Sequence, residues 1–435
     1  MDVVTYALII FALMVGFLGA GLWIFLGLLA ISVVSLLFIG FSPDRIGTIG
    51  TKILTTSSTS WELSAIPMFV LMGEILVRST VAERLFRGLT PWVQAIPGKL
   101  LHTNVIGATI FAAVSGTSSA TTASIARITL PALKQRGYDR SLALGSLAGA
   151  GSFGLLIPPS VPLIVYGVQA EVSITKLFMA GLLPGILLAV LYSGYIMLVA
   201  KVRPQTAPDC DVFSWADRIN ALPDLLPVSL LIVAIIGAIY SGVATPSEAA
   251  AIGLLASIII SFRTLTTVRF FDALVRASMT SAMIMSLVVT SAVLTAAMGY
   301  MHLPQNLSDA IGELNLNPYM LLLLLTVFFV ILGTFMEGLS MMLMTLPFVL
   351  PMVMAAGFDP IWFGVYMVIM IELGAMTPPV GLNLFVINAV TGESIAAVTK
   401  ACIPFFLLMC GGLLLITILP EIATYLPTLL SARPG

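Results

Sequence analysis

Two short polar clusters interrupt long apolar stretches, and they carry the oxygen chemistry of this chain. Ser115-Gly116-Thr117-Ser118-Ser119 lies between the apolar arm Leu101 to Val114 and a second arm that runs to Leu133. Gly333-Thr334-Phe335-Met336-Glu337-Gly338 lies between Tyr319 to Leu332 and Leu339 to Met354. Each cluster is followed by a proline pair: Pro158-Pro159 after Gly149, Gly151 and Gly154, and Pro378-Pro379 after Gly374 and Thr377. Proline lacks a backbone donor and stops a helix, so carbonyls and amides near it lose their helical partners. Carbonyl and hydroxyl oxygens are hard ligands that suit Na⁺, and free helix N-termini offer N–H groups to an anion. The ion-binding candidates are therefore Ser115, Gly116, Thr117, Ser118, Gly151, Ser152 and Pro158 in one cluster. In the other they are Gly333, Thr334, Met336, Glu337, Gly374, Thr377 and Pro378. Ser119, Asn383 and Arg127 are the substrate candidates: a hydroxyl at the first tip, an amide after the second break, and a cation on the first hairpin. Helix packing by small residues is the competing reading for any single Ser or Thr. Repetition of the pattern at two tips opposite two Pro-Pro breaks favours ligation.

Other ionisable groups have plainer readings. Glu337 and Glu372 fall at membrane depth, where a charge is expensive and usually functional. Glu372 also fits a structural hydrogen bond that fixes the second break. Arg127 alternatively snorkels to the cytoplasmic surface or pairs with an acid. His102 and His302 read as interface residues near helix ends. Cys402 and Cys410 read as small buried hydrophobes, and with Cys210 they form no metal or redox spacing. An intramembrane enzyme is disfavoured: neither His is deep in a span, and Tyr138-Asp139 has no Gly-x-Gly-Asp partner. No glycine-rich phosphate loop with a lysine is present, so ATP is not expected to drive this chain.

The elements that must position these groups are membrane helices. Hydrophobic residues make up 59% of 435 positions and charged residues 9%, against roughly 25% charged in soluble domains. Net charge is −1 with no basic run, which leaves nucleic acid no electrostatic footprint. Val3 to Gly40 is too long for one crossing and reads as two short spans broken near Gly16, Gly19 and Gly21. Without a basic leader it reads as a retained segment rather than a secretory signal. A polar loop to Ser60 and a span over Leu63 to Val77 follow. Arg78, Arg84, Arg87 and Lys99 then mark the cytoplasm, which places the N-terminus outside. Basic residues at both ends of the first interrupted pair make it a re-entrant hairpin. Irregular backbone at that depth is tolerated only where protein buries it or it lines a cavity.

Ser141 to Ile157 reads as the first half of a discontinuous span. Leu177 to Ala200 returns, and Lys201, Arg203 and Arg218 lie inside. Spans near 222–240, 249–262 and 279–300 follow. Then come the second hairpin with external ends, the break at Thr377-Pro378-Pro379, Lys400 inside, and a last helix to about Leu419. Arg45, Lys52, Lys176 and Arg433 fall on the opposite side from the clusters. Residues 131–165 align without gaps onto 351–385, matching Pro131 to Pro351, Gly137-Tyr138-Asp139 to Gly357-Phe358-Asp359, Gly154 to Gly374 and Pro158-Pro159 to Pro378-Pro379. The repeats start from opposite sides, the inverted architecture of secondary transporters. The expected fold is an all-α polytopic membrane protein with two re-entrant hairpins and two discontinuous helices. Its parts are N-terminal scaffold helices (1–100), a first transport repeat (101–200), a linker and central scaffold helices (201–317), a second, inverted transport repeat (318–400) and a C-terminal helix (401–435).

These motifs resemble the large membrane subunit of tripartite ATP-independent periplasmic (TRAP) transporters. The first repeat is carried by Ser115-Gly-Thr-Ser-Ser-Ala, by Pro131-Ala-Leu-Lys-Gln-Arg-Gly-Tyr-Asp139 and by Gly154-Leu-Leu-Ile-Pro-Pro-Ser-Val-Pro-Leu-Ile-Val-Tyr-Gly167. The second is Glu372-Leu-Gly-Ala-Met-Thr-Pro-Pro-Val-Gly-Leu-Asn-Leu-Phe385, and Ala65-Ile-Pro-Met-Phe and Ala82-Glu-Arg-Leu extend the likeness over nearly the whole chain. Arg127 is a departure, since the resemblance implies a small residue there. The resemblance implies an inner-membrane permease driven by Na⁺ symport, with no other cofactor. It implies import of an organic acid: a C4-dicarboxylate, another carboxylate or a sialic acid. It implies a periplasmic substrate-binding protein and a separate small four-helix membrane subunit as partners, and an elevator motion of hairpins and broken helices against a scaffold. A standalone ion-coupled anion symporter of related architecture is the alternative.

Overall fold

In a computed structural model of the protein, residues 12–13, 16–17, 21–208, 213–306, 309, 317–379 and 381–431 are described. The first of the two short spans expected in 3–40 lies largely outside them, as do Cys210 and Arg433. No strand occurs among the described residues.

The first helices are α1 (Ile24–Phe38), α2 (Pro43–Ser58), α3 (Ala65–Arg78) and α4 (Val81–Val93). The loop expected up to Ser60 is instead α2. Ser42 caps it, accepting from Arg45 N at 3.4 Å, and Pro43 takes the first turn, where no donor is needed. Its Thr and Ser hydroxyls donate to carbonyls one turn back, as Thr48 does to Asp44 O at 2.9 Å. Short Trp61–Ser64 follows, and α2 meets Trp61–Arg78 at a bend of 57°. Helix α4 is amphipathic, burying Val81, Leu85 and Leu89 while Arg84 and Arg87 reach Asp224 at 2.9 and 2.6 Å.

The first hairpin is α5 (Leu101–Ser115) and α6 (Ser118–Gln135), and the break after it separates α7 (Arg140–Gly151) from α8 (Val161–Gln169). Helices α9 (Ile174–Val202), α10 (Trp215–Tyr240), α11 (Pro246–Ser261) and α12 (Thr267–Tyr300) come next. The second hairpin is α13 (Pro318–Gly333) and α14 (Gly338–Ala355). Its break divides α15 (Pro360–Ala375) from α16 (Leu382–Thr391), and α17 (Ile395–Ile418) and α18 (Glu421–Ser431) close the chain. Helix α18 was not expected. Pro420 and Pro427 hid it, yet only the latter is inside the helix.

Length alone separates only some spans from arms. Helix α5 has 15 residues, roughly 22 Å at ~1.5 Å per residue, short of a ~30 Å hydrocarbon core. Helices α9, α10, α12, α14 and α17 are long and apolar enough to cross. Of these α14 is the most enclosed, with 61% of its apolar window buried, as befits an inner hairpin arm.

The repeats match in three dimensions. Gly137 and Gly357 have φ of 73° and 90°, a left-handed turn that glycine permits. The following Asp139 caps α7 through Leu142 N at 2.8 Å, and Asp359 caps α15 through Ile361 N and Trp362 N at 2.8 and 2.9 Å. The repeats also interlock, α16 of the second packing along α6 of the first, and the C-terminal helix α17 packs along α7. Helices α1, α3, α11 and α12 pack together beside them.

Candidate functional site

Each hairpin tip is seated on the break of its own repeat. A methyl on Gly154 would stand 2.9 Å from Thr117 O, and one on Gly333 would stand 2.6 Å from Gly374 Cα. These two positions need glycine because backbone meets backbone. Gly116 ends α5 at φ 64°, with its N–H donating to Ala112 O. Across the second tip, Glu337 accepts from Ser340 N at 3.2 Å and so caps α14.

The two repeats meet at Ser118, which is buried. Its Oγ lies 3.2 Å from Gly151 O, 3.2 Å from Glu372 Oε2 and 3.0 Å from Asn383 Oδ1. One hydroxyl proton faces three acceptors, and it serves one at a time. Asn383 Nδ2 donates to Ser152 Oγ at 3.2 Å. Glu372 Oε1 and Thr122 Oγ1 are buried without a hydrogen-bond partner among the described residues. The junction therefore holds more acceptor oxygens than donors.

The second tip is less enclosed. Thr334 and Thr377 each donate to a carbonyl of their own helix, Ile331 O and Leu373 O, both at 2.7 Å. A hydroxyl that donates backwards keeps its oxygen lone pairs free. Pro158 is buried, whereas Pro378 is exposed and Thr377 and Met336 are half-buried. Both Pro-Pro bonds are cis.

A cavity of about 320 Å³ opens between the tips and the helices α3 and α12. All five residues from Ser115 to Ser119 line it, as do Glu337, Glu372 and Asn383. Gly151 and Ser152 touch the junction from behind, while Gly333, Thr334, Gly374 and Thr377 form the second tip's seat. Arg127 is not brought in: it is exposed on α6, away from the cavity lining. Its charge belongs to another surface.

Sequence reasoning missed Glu74 and Gly73. Glu74 lines the cavity from α3 and is paired with Arg78, which also reaches Asp272 at 2.8 Å. An ionisable residue inside the span Leu63 to Val77 was the available signal. A methyl on Gly73 would stand 2.7 Å from Ser115 O, so α3 passes the first tip at backbone distance. His102, expected at an interface, is buried, with its Nε2 hydrogen-bonded to Pro97 O at 2.8 Å. Cys402 is buried and Cys410 half-buried.

An all-α, multi-pass membrane protein with inverted repeats, two hairpins and two broken helices defines the class: the architecture of secondary transporters. Residues 8–422 match the family described as tripartite ATP-independent periplasmic transporter, DctM component, and the chain belongs to that family. It is 35% identical over 392 residues to the C4-dicarboxylate TRAP transporter large permease protein DctM of Pseudomonas aeruginosa, covering 89% of this chain and 91% of that one. It is 32% identical over 374 residues to the sialic acid TRAP transporter large permease protein SiaM of Vibrio cholerae, covering 85% and 87%. The fold is also similar to the Alcanivorax borkumensis YdaH transporter, with a TM-score of 0.63 at 17% identity over 93% of this chain and 98% of that one.

Proposed function

We propose that this chain is the large, inner-membrane subunit of a Na⁺-driven importer of an organic anion, fed by a periplasmic binding protein and braced by a small membrane subunit. The surplus of acceptor oxygens at the Ser118 junction carries the Na⁺ reading. Gly151 O, Glu372 Oε2 and Asn383 Oδ1 converge on one donor, and Glu372 Oε1 has none. Buried acceptors without donors are costly, and a small cation offsets that cost. Ser115, Gly116, Thr117, Ser118, Gly151, Ser152 and the Pro158 break would hold one Na⁺. Gly333, Thr334, Met336, Glu337, Gly374, Thr377 and the Pro378 break would hold another. Ser119 and Asn383, both at the cavity, would meet the substrate. The relatives named for C4-dicarboxylates and sialic acid support a carboxylate as cargo.

In this reading residues 101–200 and 318–400 form the moving body, and residues 1–100, 201–317 and 401–435 the frame. The close pass of Gly73 over Ser115 supports a sliding contact between the two. The test is uptake of labelled succinate and N-acetylneuraminate into liposomes carrying the chain with its small subunit, with the binding protein outside. Uptake is expected to need both an inward Na⁺ gradient and the binding protein, and to weaken in Ser118→Ala and Thr377→Ala. Uptake indifferent to Na⁺, with both variants at the wild-type rate, would overturn the ion sites. Uptake without the binding protein would favour a standalone symporter.

A further inference from the structure

The outer face of α6 is unlike the outer surface of the spanning helices. Its inner face buries Thr121, Thr122, Ile125, Ala126, Thr129 and Leu133. Its outer face carries Ala120, Ser124, Arg127, Pro131 and Lys134, the first two half-buried and the other three exposed. Steps of four, three, four and three residues keep these side chains on one stripe. None of them is a large hydrophobic. By contrast, the exposed positions on spanning helix α10 include the large hydrophobics Leu226, Leu230 and Val233. The stripe starts in the cavity, since Ala120 lines it together with the exposed Ser119. It ends at Lys134, beside Arg136 and Arg140, in the basic cluster that marks the cytoplasmic side.

Arg127 stands midway, eight residues beyond Ser119, or roughly 12 Å along the helix. It is exposed, and no carboxylate pairs with it among the described residues. An unpaired guanidinium against hydrocarbon is expensive. An aqueous setting would satisfy it, and the small side chains of Ala120 and Ser124 would leave room for water on the cavity side of it. A stripe of small and charged side chains that leads from the cavity to a basic rim, with a fork-shaped cation halfway, suits the passage of an anion. Guanidinium binds carboxylate bidentately, and an aqueous setting keeps that contact weak enough to release.

We propose that the outer face of α6 is the aqueous wall along which the imported carboxylate leaves the cavity for the cytoplasm, with Arg127 as its intermediate contact. The proposal rests on the import reading above, and its test has one arm that does not. In inside-out membrane vesicles, Arg127→Cys and Lys134→Cys are exposed to a membrane-impermeant charged thiol reagent, with the unsubstituted chain as control. Both are expected to react. Reaction of Lys134→Cys alone would put Arg127 against lipid and overturn the wet face, whatever the cargo.

The second arm compares succinate and N-acetylneuraminate uptake by Arg127→Ala and Arg127→Lys. Losing one charge-assisted contact is expected to lower the maximal rate of Arg127→Ala about three- to ten-fold, with unchanged Na⁺ dependence. Arg127→Lys should recover most of the rate. A wild-type rate in Arg127→Ala would overturn the anion contact while leaving the wet face to the labelling result. A wild-type chain that imports neither carboxylate under any gradient would sink the import reading and, with it, the exit role. The labelling would still decide what α6 faces.

Discussion

Gly374 and Gly333 touch through their α-carbons, with a methyl on either falling 2.6 to 2.7 Å from the other's backbone. Backbone cannot yield as a flexible side chain does, so Gly374→Ala should push the second tip off its seat. Overpacking of this kind costs about 1–3 kcal/mol, little enough for the chain to insert and fold. The expected result is normal membrane expression with Na⁺-driven uptake reduced at least tenfold, read by uptake against detergent-solubilised yield. Equal uptake would remove the second tip from the ion-binding reading. At the junction, Asn383→Leu removes both the amide oxygen facing Ser118 and the donor to Ser152. It should raise the Na⁺ concentration for half-maximal uptake about tenfold, as expected for one lost contact of ~1.4 kcal/mol. An unchanged Na⁺ titration would take Asn383 out of the ion site and leave it to the substrate side of the cavity. The residue types at both tips stood out in the sequence because Ser, Thr and Gly beside Pro-Pro pairs are out of place in hydrocarbon. Their meeting did not, since Ser118 and Asn383 are 265 positions apart and no local rule pairs them.

At the scale of elements, capping explains why the same turn recurs. Asp139 and Asp359 both follow a glycine in the left-handed region and both accept from the first turn of a half-helix. Removing such a cap costs about 1 kcal/mol. Asp139→Ala and Asp359→Ala are each expected to lower the midpoint of thermal unfolding in detergent by a similar few degrees. A shift in one variant alone would show that the repeats do not share this device. The hairpins, the breaks and these turns could be read ahead because each is punctuated by Gly, Pro or a basic cluster. Helix α2 does carry a short apolar stripe, Ile46, Ile49, Ile53 and Leu54, but it is set among Thr, Ser, Gly and charged residues and only Ile46 is buried, so the segment passes for a polar loop. Its start was nonetheless written in Ser42-Pro43, a cap followed by a first-turn proline. Helix α4 was visible as an amphipathic stretch, but its ion pairs with Asp224 join segments about 140 residues apart and needed the fold.

The whole molecule divides into helices that pack among themselves, α1, α3, α11 and α12, and two repeats that interlock through α6 and α16, with the C-terminal helix α17 packed along α7. The cavity lies along the seam between these bodies, with Val77 and Thr280 on one side and Ser119 and Ala120 on the other. An interlocked body that carried ions and substrate could cross only by moving past the frame as one piece. Val77→Cys and Ala120→Cys lie on opposite walls of that cavity, and a bifunctional thiol reagent long enough to span it would lock the seam. Each single variant should transport near the wild-type rate with or without the reagent. The bridged double variant should lose uptake altogether while still binding Na⁺, as seen in Na⁺-dependent thermal stabilisation, because binding within one body needs no sliding. A bridged protein that transports at full rate would show that the seam stays closed during the cycle, and the motion would then have to be sought within the hairpins themselves.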